Sequence, residues 1–226
     1  MRFRNRTEAG RLLAARLKDY AQRPDVIVLA LPRGGVPVAF EVARALKTPL
    51  DVLIVRKLGV PDQPELAMGA IASGGVRVLN EELLRDYPIP AATIETVAAR
   101  EQVELERRER SYRGDRPAPE LQGRTVILVD DGIATGTTMR SAVEALRKRG
   151  AADIVIAVPV APATVGAEFQ RLMDHVGFIC LATPEPFFAV GLWYEDFDQT
   201  SDEEVRDLLK RAAAESAVAP RDRQVT

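Results

Sequence analysis

Two adjacent acids, Asp130 and Asp131, close a short apolar run, and the string VILVDDGIATGTT (126–138) continues from them through Ala134, Thr135, Gly136, Thr137 and Thr138. Where a strand gives way to a helix, unbonded backbone N–H groups and the helix dipole favour an anion, and Gly136 lets the main chain approach it closely. The hydroxyls of Thr135, Thr137 and Thr138 add neutral donors, so the turn suits a phosphate monoester. Asp130 and Asp131, immediately before it, can accept hydrogen bonds from vicinal hydroxyls of a sugar carrying that phosphate. Phosphate donors beside diol acceptors describe a ribose 5-phosphate site. A plain strand-turn-helix connection needs neither the paired acids nor the hydroxyls. A nucleoside-triphosphate P-loop is excluded, because no Gly-Lys-Ser or Gly-Lys-Thr follows.

The elements that must hold this turn are legible as alternating patterns. Val26 to Leu31 is a continuous apolar run of strand length that stops at Pro32, and Val38, Val42, Ala45 and Leu46 form the apolar face of a following helix. Strands are expected at Leu50–Val55, Val126–Val129, Ile154–Val158 and Gly177–Leu181, with helices at Met139–Arg149 and Pro162–Asp174 between them. An opening helix over Thr7–Ala21 is capped by Asn5 or Thr7. Apolar strands separated by helices imply an α/β domain with a central, mainly parallel sheet flanked by helices. Ligands in such sheets collect at the carboxyl ends of the strands. Between Arg56 and Ala67 the pattern breaks at Gly59, Pro61 and Pro64, and a mobile surface loop is expected, followed by short strands at Met68–Ser73 and Val76–Leu79. The charged stretch Ala91–Tyr112 reads as a solvated helix.

The segment from Val126 to Thr138 resembles the phosphoribosyl-diphosphate signature of the type I phosphoribosyltransferases. By that resemblance Asp130 and Asp131 hold the ribose hydroxyls, and Ala134, Thr135, Gly136, Thr137 and Thr138 hold the 5-phosphate. LPRGGVPVA (31–39) resembles the family's pyrophosphate loop, giving contacts with the leaving group to Arg33, Gly34 and Gly35. VRKLG (55–59) is similar to the basic strand end before the family's flexible catalytic loop, making Arg56 and Lys57 pyrophosphate partners. Members acting on 6-oxopurines carry an acid where this chain has Ala134. The pattern here is closer to the adenine type, in which an acid of the flexible loop assists, and Glu65 matches that acid by location. The stretch Phe187–Phe197 resembles the hood of purine phosphoribosyltransferases, with Val190 and Trp193 bordering the base. The resemblance spans about Val26 to Ala182 in its core motifs. It implies the type I phosphoribosyltransferase fold with a small hood formed by chain-terminal segments, and Mg²⁺ bound mainly through the phosphoribosyl diphosphate. The implied reaction is transfer of the 5-phosphoribosyl group to a small nitrogenous acceptor, a nucleobase, in nucleotide metabolism. The alternative is a non-catalytic regulator that senses phosphoribosyl diphosphate.

Composition narrows the rest. With 31 basic against 33 acidic residues there is no global positive field for nucleic acid or anionic lipid. A single cysteine, Cys180, and a single histidine, His175, leave no Cys/His zinc set and no intramolecular disulfide, so any metal is held by oxygen, and His175 reads as structural. No apolar run approaches the ~20 residues that span a bilayer, and the first residues lack the apolar stretch of a secretion signal, so a cytoplasmic protein is expected, a homodimer if it assembles. Residues 1–212 read as one domain with a hood segment near 183–200, and 213–226 as a flexible tail.

Overall fold

The structure, a computed structural model, describes residues 2–172 and 176–218. Five strands form the central sheet: β1 (Val26–Ala30), β2 (Leu50–Val52), β6 (Thr125–Val129), β7 (Asp153–Val160) and β8 (Val176–Ala182), in the order β2-β1-β6-β7-β8 and parallel throughout. The alternation of side chains along each strand divides the core in two. Val26, Val28, Ala30, Ile127 and Val129 face a cluster shared with α1 (Arg6–Arg16), α2 (Gly35–Leu46), α4 (Ala91–Arg113) and α7 (Asp202–Val218). Ile27, Leu29, Val126, Leu128 and Ile156 face α5 (Thr137–Lys148) and α6 (Ala163–Leu172). Strands buried on both faces explain the apolar run VIVLA and the run VILV that follows Thr125.

Strand order reverses beside β1: the chain leaves it through α2 toward β2, then returns to place β6 on its other side. The register Ala30↔Val129 sets the carboxyl ends of β1 and β6 level. This is the switch point at which a parallel sheet opens a crevice between two strand-to-helix loops, and the PRGG and DDGIATG segments are those two loops.

Three expectations are corrected. The residues from Arg56 to Ala67 are not a loop: β3 (Val55–Val60) and β4 (Gln63–Ala72) form an antiparallel hairpin, joined by β5 (Val76–Leu79) in a second, three-stranded sheet. The register slips between Leu58 and Gly59 and again between Gly59 and Val60, and Asp62 turns the chain at φ 68°. Gly59 and the prolines thus mark a bulged hairpin. Buried Leu58, Met68 and Ile71 anchor it to the main core. The strand expected at Leu50–Val55 ends at Val52, and Val55 already belongs to the hairpin. The chain end is helical further than expected, since α7 continues to Val218 on Val205, Leu209 and Ala212; residues 219–226 of the expected tail lie outside the described residues, as does His175. A short helix, α3 (Glu81–Asp86), capped by Asn80, adds an element beyond those the pattern predicts.

The opening helix is shorter than its pattern, ending at Arg16 before a 3₁₀ turn at Lys18–Tyr20. Asn5 caps it by accepting from the Glu8 N–H at 3.0 Å, while the Glu8 carboxylate reaches back past the cap to accept from the Arg4 N–H at 2.6 Å. Chain-terminal segments do meet in a hood. The Phe3 N–H donates to Trp193 O, the Glu195 N–H donates to Phe3 O, and Phe3 and Tyr194 are buried against each other.

Candidate functional site

The turn after β6 begins with two carboxyls and ends with a helix whose N-terminus receives no side-chain cap. Gly136, at φ 77°, reverses the chain in the left-handed region that a Cβ disfavours. It caps α5 without any side-chain hydrogen bond, so the first-turn N–H groups of α5 lack the usual capping oxygen. Ala134, Thr135, Thr137 and Thr138 are exposed around them, whereas Gly132, Ile133, Gly136 and Met139 are buried and hold the turn down. The Ile133 N–H is tied to Val160 O at 2.9 Å, and Arg140 Nη2 donates to Thr135 O at 3.1 Å. An uncapped helix N-terminus ringed by hydroxyls is an anion cradle.

The acids form the wall beside it. The Asp131 N–H donates to Asp130 Oδ1 at 2.8 Å. Burial first, then the neighbouring Asp131 carboxylate, pushes the Asp130 carboxyl well above the usual carboxylate range. Asp131 is raised by burial as well, opposed chiefly by Arg6. The loop after β1 leans on this pair. The Leu31 N–H donates to Val129 O at 2.9 Å, and the Pro32–Arg33 peptide bond is cis. A Cβ on Gly34 would run into the Asp131 carboxyl, and one on Gly35 would lie 2.8 Å from Val129 O and 2.9 Å from Asp130 Cα. Glycine is needed there because the loop presses directly on the acid pair and its strand.

Three residues of the site escape the sequence reading. Arg6, the first residue of α1, donates from Nε to Asp131 Oδ2 at 2.9 Å, and its Nη2 makes an ion pair with the same oxygen at 2.9 Å. Tyr194 of the hood donates its hydroxyl to Asp131 O at 2.6 Å, and burial holds that hydroxyl well above the usual phenol range. Asp202, opening α7, faces Arg33 Nη1 at 3.8 Å and accepts from the Tyr112 hydroxyl at 2.6 Å. Arg6 stands among the basic residues Arg2 and Arg4 with nothing local to set it apart, whereas WYEDF gives Tyr194 a visible aromatic context.

Of the residues singled out in the sequence, Asp130, Asp131, Arg33, Gly34, Gly35 and the stretch Ala134–Thr138 come together at the switch point. Val190 joins them, its Cγ1 standing 2.5 Å from where a Cβ of Gly132 would lie. Trp193 sits in the same hood cluster, its indole Nε1 buried without a hydrogen-bond partner among the described residues. Arg56 does not stand free toward this crevice. Its guanidinium is bound by Glu101 of α4, through Nε at 2.9 Å and through Nη2, and Arg100 shares that carboxylate at 3.1 Å. Lys57 alternates to the other face of β3, where it is exposed. Glu65 lies in β4, and its side chain is outside what the structure describes.

The phosphoribosyl transferase domain family matches residues 4–172. The chain belongs to that family. A Mycobacterium tuberculosis protein provisionally named a phosphoribosyl transferase, known from strains CDC 1551 and H37Rv, is 51% identical over 217 residues, covering 96% of this chain and 48% of that one. The chain therefore spans about half the length of the curated relatives it matches. The crystal structure of TT1426 from Thermus thermophilus superposes with a TM-score of 0.82 at 42% identity, covering 93% of this chain and 99% of that one. A ribose-phosphate pyrophosphokinase of Mycobacterium leprae is 49% identical over a short stretch of 43 residues, 19% of this chain and 13% of that one. Both loops of the switch-point crevice fall within the residues that the family matches.

Among the described residues no helix is long and apolar enough to cross a membrane, and no three Cys, His, Asp or Glu side chains gather as a metal cage.

Proposed function

We propose that this domain transfers a 5-phosphoribosyl group from phosphoribosyl diphosphate to a nitrogen acceptor, a nucleobase, with release of pyrophosphate. The observation that carries the reading is the uncapped start of α5, with its exposed threonines, directly beside the Asp130–Asp131 pair. The first is chemically matched to a 5-phosphate and the second to the 2- and 3-hydroxyls of the same sugar.

As the anomeric bond breaks, positive charge grows on the ribose and negative charge on the departing pyrophosphate. Asp130 and Asp131 lie at the cationic side. The Gly34–Gly35 loop and Arg33 are the groups suited to the anionic side, once Arg33 exchanges its long contact with Asp202 for the leaving group. Mg²⁺ would fit as a companion of the donor: Asp131 is already engaged by Arg6, and such an ion would be held mainly by water and the donor's own oxygens. Bound there, it neutralises charge on the leaving group. Lys57 and Glu65 on the hairpin are the candidates to approach from above, and Val190 and Trp193 in the hood to border the acceptor. With a methyl group at Ala134, the turn itself offers the acceptor no carboxylate.

Pyrophosphate release with donor, Mg²⁺ and a panel of nucleobases tests the reading. Release that depends on one acceptor supports it. Donor binding with no turnover on any acceptor would instead favour a sensor of phosphoribosyl diphosphate, and donor loss without acceptor dependence a hydrolase.

A further inference from the structure

We propose that Arg6 is a positioning residue of the donor site, fixing the Asp131 carboxylate for the ribose diol and tying it to the hood. This rests on the donor reading above. The guanidinium spends its hydrogen bonds on two elements at once. Nε donates to Asp131 Oδ2 at 2.9 Å, Nη2 lies in ion-pair contact with the same oxygen at 2.9 Å, and Nη1 donates to the Asp198 carbonyl at 2.7 Å. Its Cζ lies 3.9 Å from the centre of the Phe197 ring. The side chain is only 12% exposed and that of Asp131 15%, so neither partner is a loosely solvated surface group. A planar fork locked at its carboxylate, its carbonyl and its ring face has lost its freedom to swing.

The pattern is selective. Both contacts with the carboxylate fall on Oδ2, so the guanidinium itself does not occupy Oδ1. The same cation opposes burial and, at Asp130, the neighbouring carboxylate, which drive the two adjoining carboxyls toward protonation. The groups facing Asp131 are Arg6 from α1, Asp130 beside it, and the Tyr194 hydroxyl on its main-chain oxygen. Of these, Arg6 alone brings positive charge. Phe197 and Asp198 belong to the hood, so a single side chain joins the segment suited to the acceptor to the acid suited to the donor. α1 itself is seated independently of Arg6, through the Asn5 cap and buried Ala9, Leu13 and Ala14.

Titration calorimetry of the whole chain with phosphoribosyl diphosphate and Mg²⁺ tests this, comparing wild type with Arg6→Gln, Arg6→Lys and Phe197→Leu. Loss of charge-assisted bonds predicts donor affinity about ten- to a hundredfold weaker in Arg6→Gln. The acid limb of its binding-against-pH profile should move to higher pH, a shift that a merely structural role would not cause. Arg6→Lys should return the acid limb toward wild type while recovering only part of the affinity, because a lysine keeps the charge and loses the fork. Phe197→Leu, which leaves both charged partners in place, should weaken binding by a smaller factor in the same direction. Unchanged or tighter donor binding by Arg6→Gln, with wild type binding normally, overturns the positioning role and leaves the donor reading standing. So does weaker binding with an unmoved acid limb. A wild-type protein that binds no donor sinks both. Should Arg6→Gln fail to fold, Phe197→Leu decides alone, and unchanged affinity in that variant overturns the link to the hood.

Discussion

The turn at 130–136 and the hairpin at 55–72 both follow strands of the central sheet at their carboxyl ends, yet they are built on opposite principles. The turn is local. Its acids, its left-handed glycine and its hydroxyls are consecutive, and the strand and helix on either side hold it by their own burial. The hairpin is held from a distance: Arg56 is fastened to Glu101 on α4, and Leu58, Met68 and Ile71 reach into a core assembled from both ends of the chain. The hairpin presents exposed Lys57 from a bulged, self-paired ribbon.

The sharpest break of that contrast is the pair Asp130→Asn with Asp131→Asn. The amides keep an acceptor oxygen but lose the negative charge that strengthens its bond to the diol, so donor affinity should fall by about 2–4 kcal/mol, read by calorimetry, while a cooperative thermal unfolding transition is retained. Donor affinity unchanged by this double substitution would remove the diol assignment. Thr135→Val and Thr138→Val probe the other half of the turn, each expected to cost about 1.5–3 kcal/mol of donor affinity if its hydroxyl meets a phosphate oxygen. A neutral result at both positions would reduce the turn to a connector.

On the hairpin side the expected loss lies in stability. Arg56→Ala strips Glu101 of its two-pronged partner and leaves it with Arg100 alone, in a carboxylate side chain only 12% exposed. Denaturant unfolding should register about 1–3 kcal/mol of destabilisation, with less effect on donor affinity than Thr135→Val. The reverse order, affinity collapsing while stability holds, would return Arg56 to the pyrophosphate role that the family resemblance gives it.

The same division explains what can be read from the sequence. VIVLA and TVILV announce themselves because strands buried on both faces need no alternation, and DDGIATGTT carries its chemistry in consecutive residues. The hairpin reads as a loop because Gly59, Pro61 and Pro64 are turn residues by any local rule. The bulge at Gly59 and the turn at Asp62 become strand features only when Gln63–Ala72 pairs back onto β3. Arg6 is invisible for a related reason: its partners Asp131, Phe197 and Asp198 are far away in the chain, and a basic residue near the start reads as solvated. By contrast the pattern of α7 is legible in retrospect, for Val205, Leu209 and Ala212 fall on one helical stripe.

The smallest expected effect separates the two regions by the sign of a pH dependence. Glu104 on α4 is held near a pKa of about 2, first by its hydrogen bond from Arg107 and then by that from Arg108, so what it contributes to folding is lost as pH falls. Asp130 runs the other way. Its native pKa lies above its unfolded value, so the folded chain binds more protons between the two. The stabilisation this gives is full below the unfolded value near 4 and is lost as pH rises through the native one. Asp130→Asn removes that burden without removing the oxygen that accepts from the Asp131 N–H. The melting temperature of the variant minus that of wild type should therefore climb as pH is raised from mildly acidic toward alkaline, by about 2–4 °C for each kcal/mol relieved. Taking the difference cancels Glu104 and the other surface carboxylates, which titrate alike in both proteins. A difference that stays flat or falls with pH would mean that the acid pair is fully ionised and adequately solvated. Arg6 would then be compensating a charge that the fold had never placed under strain.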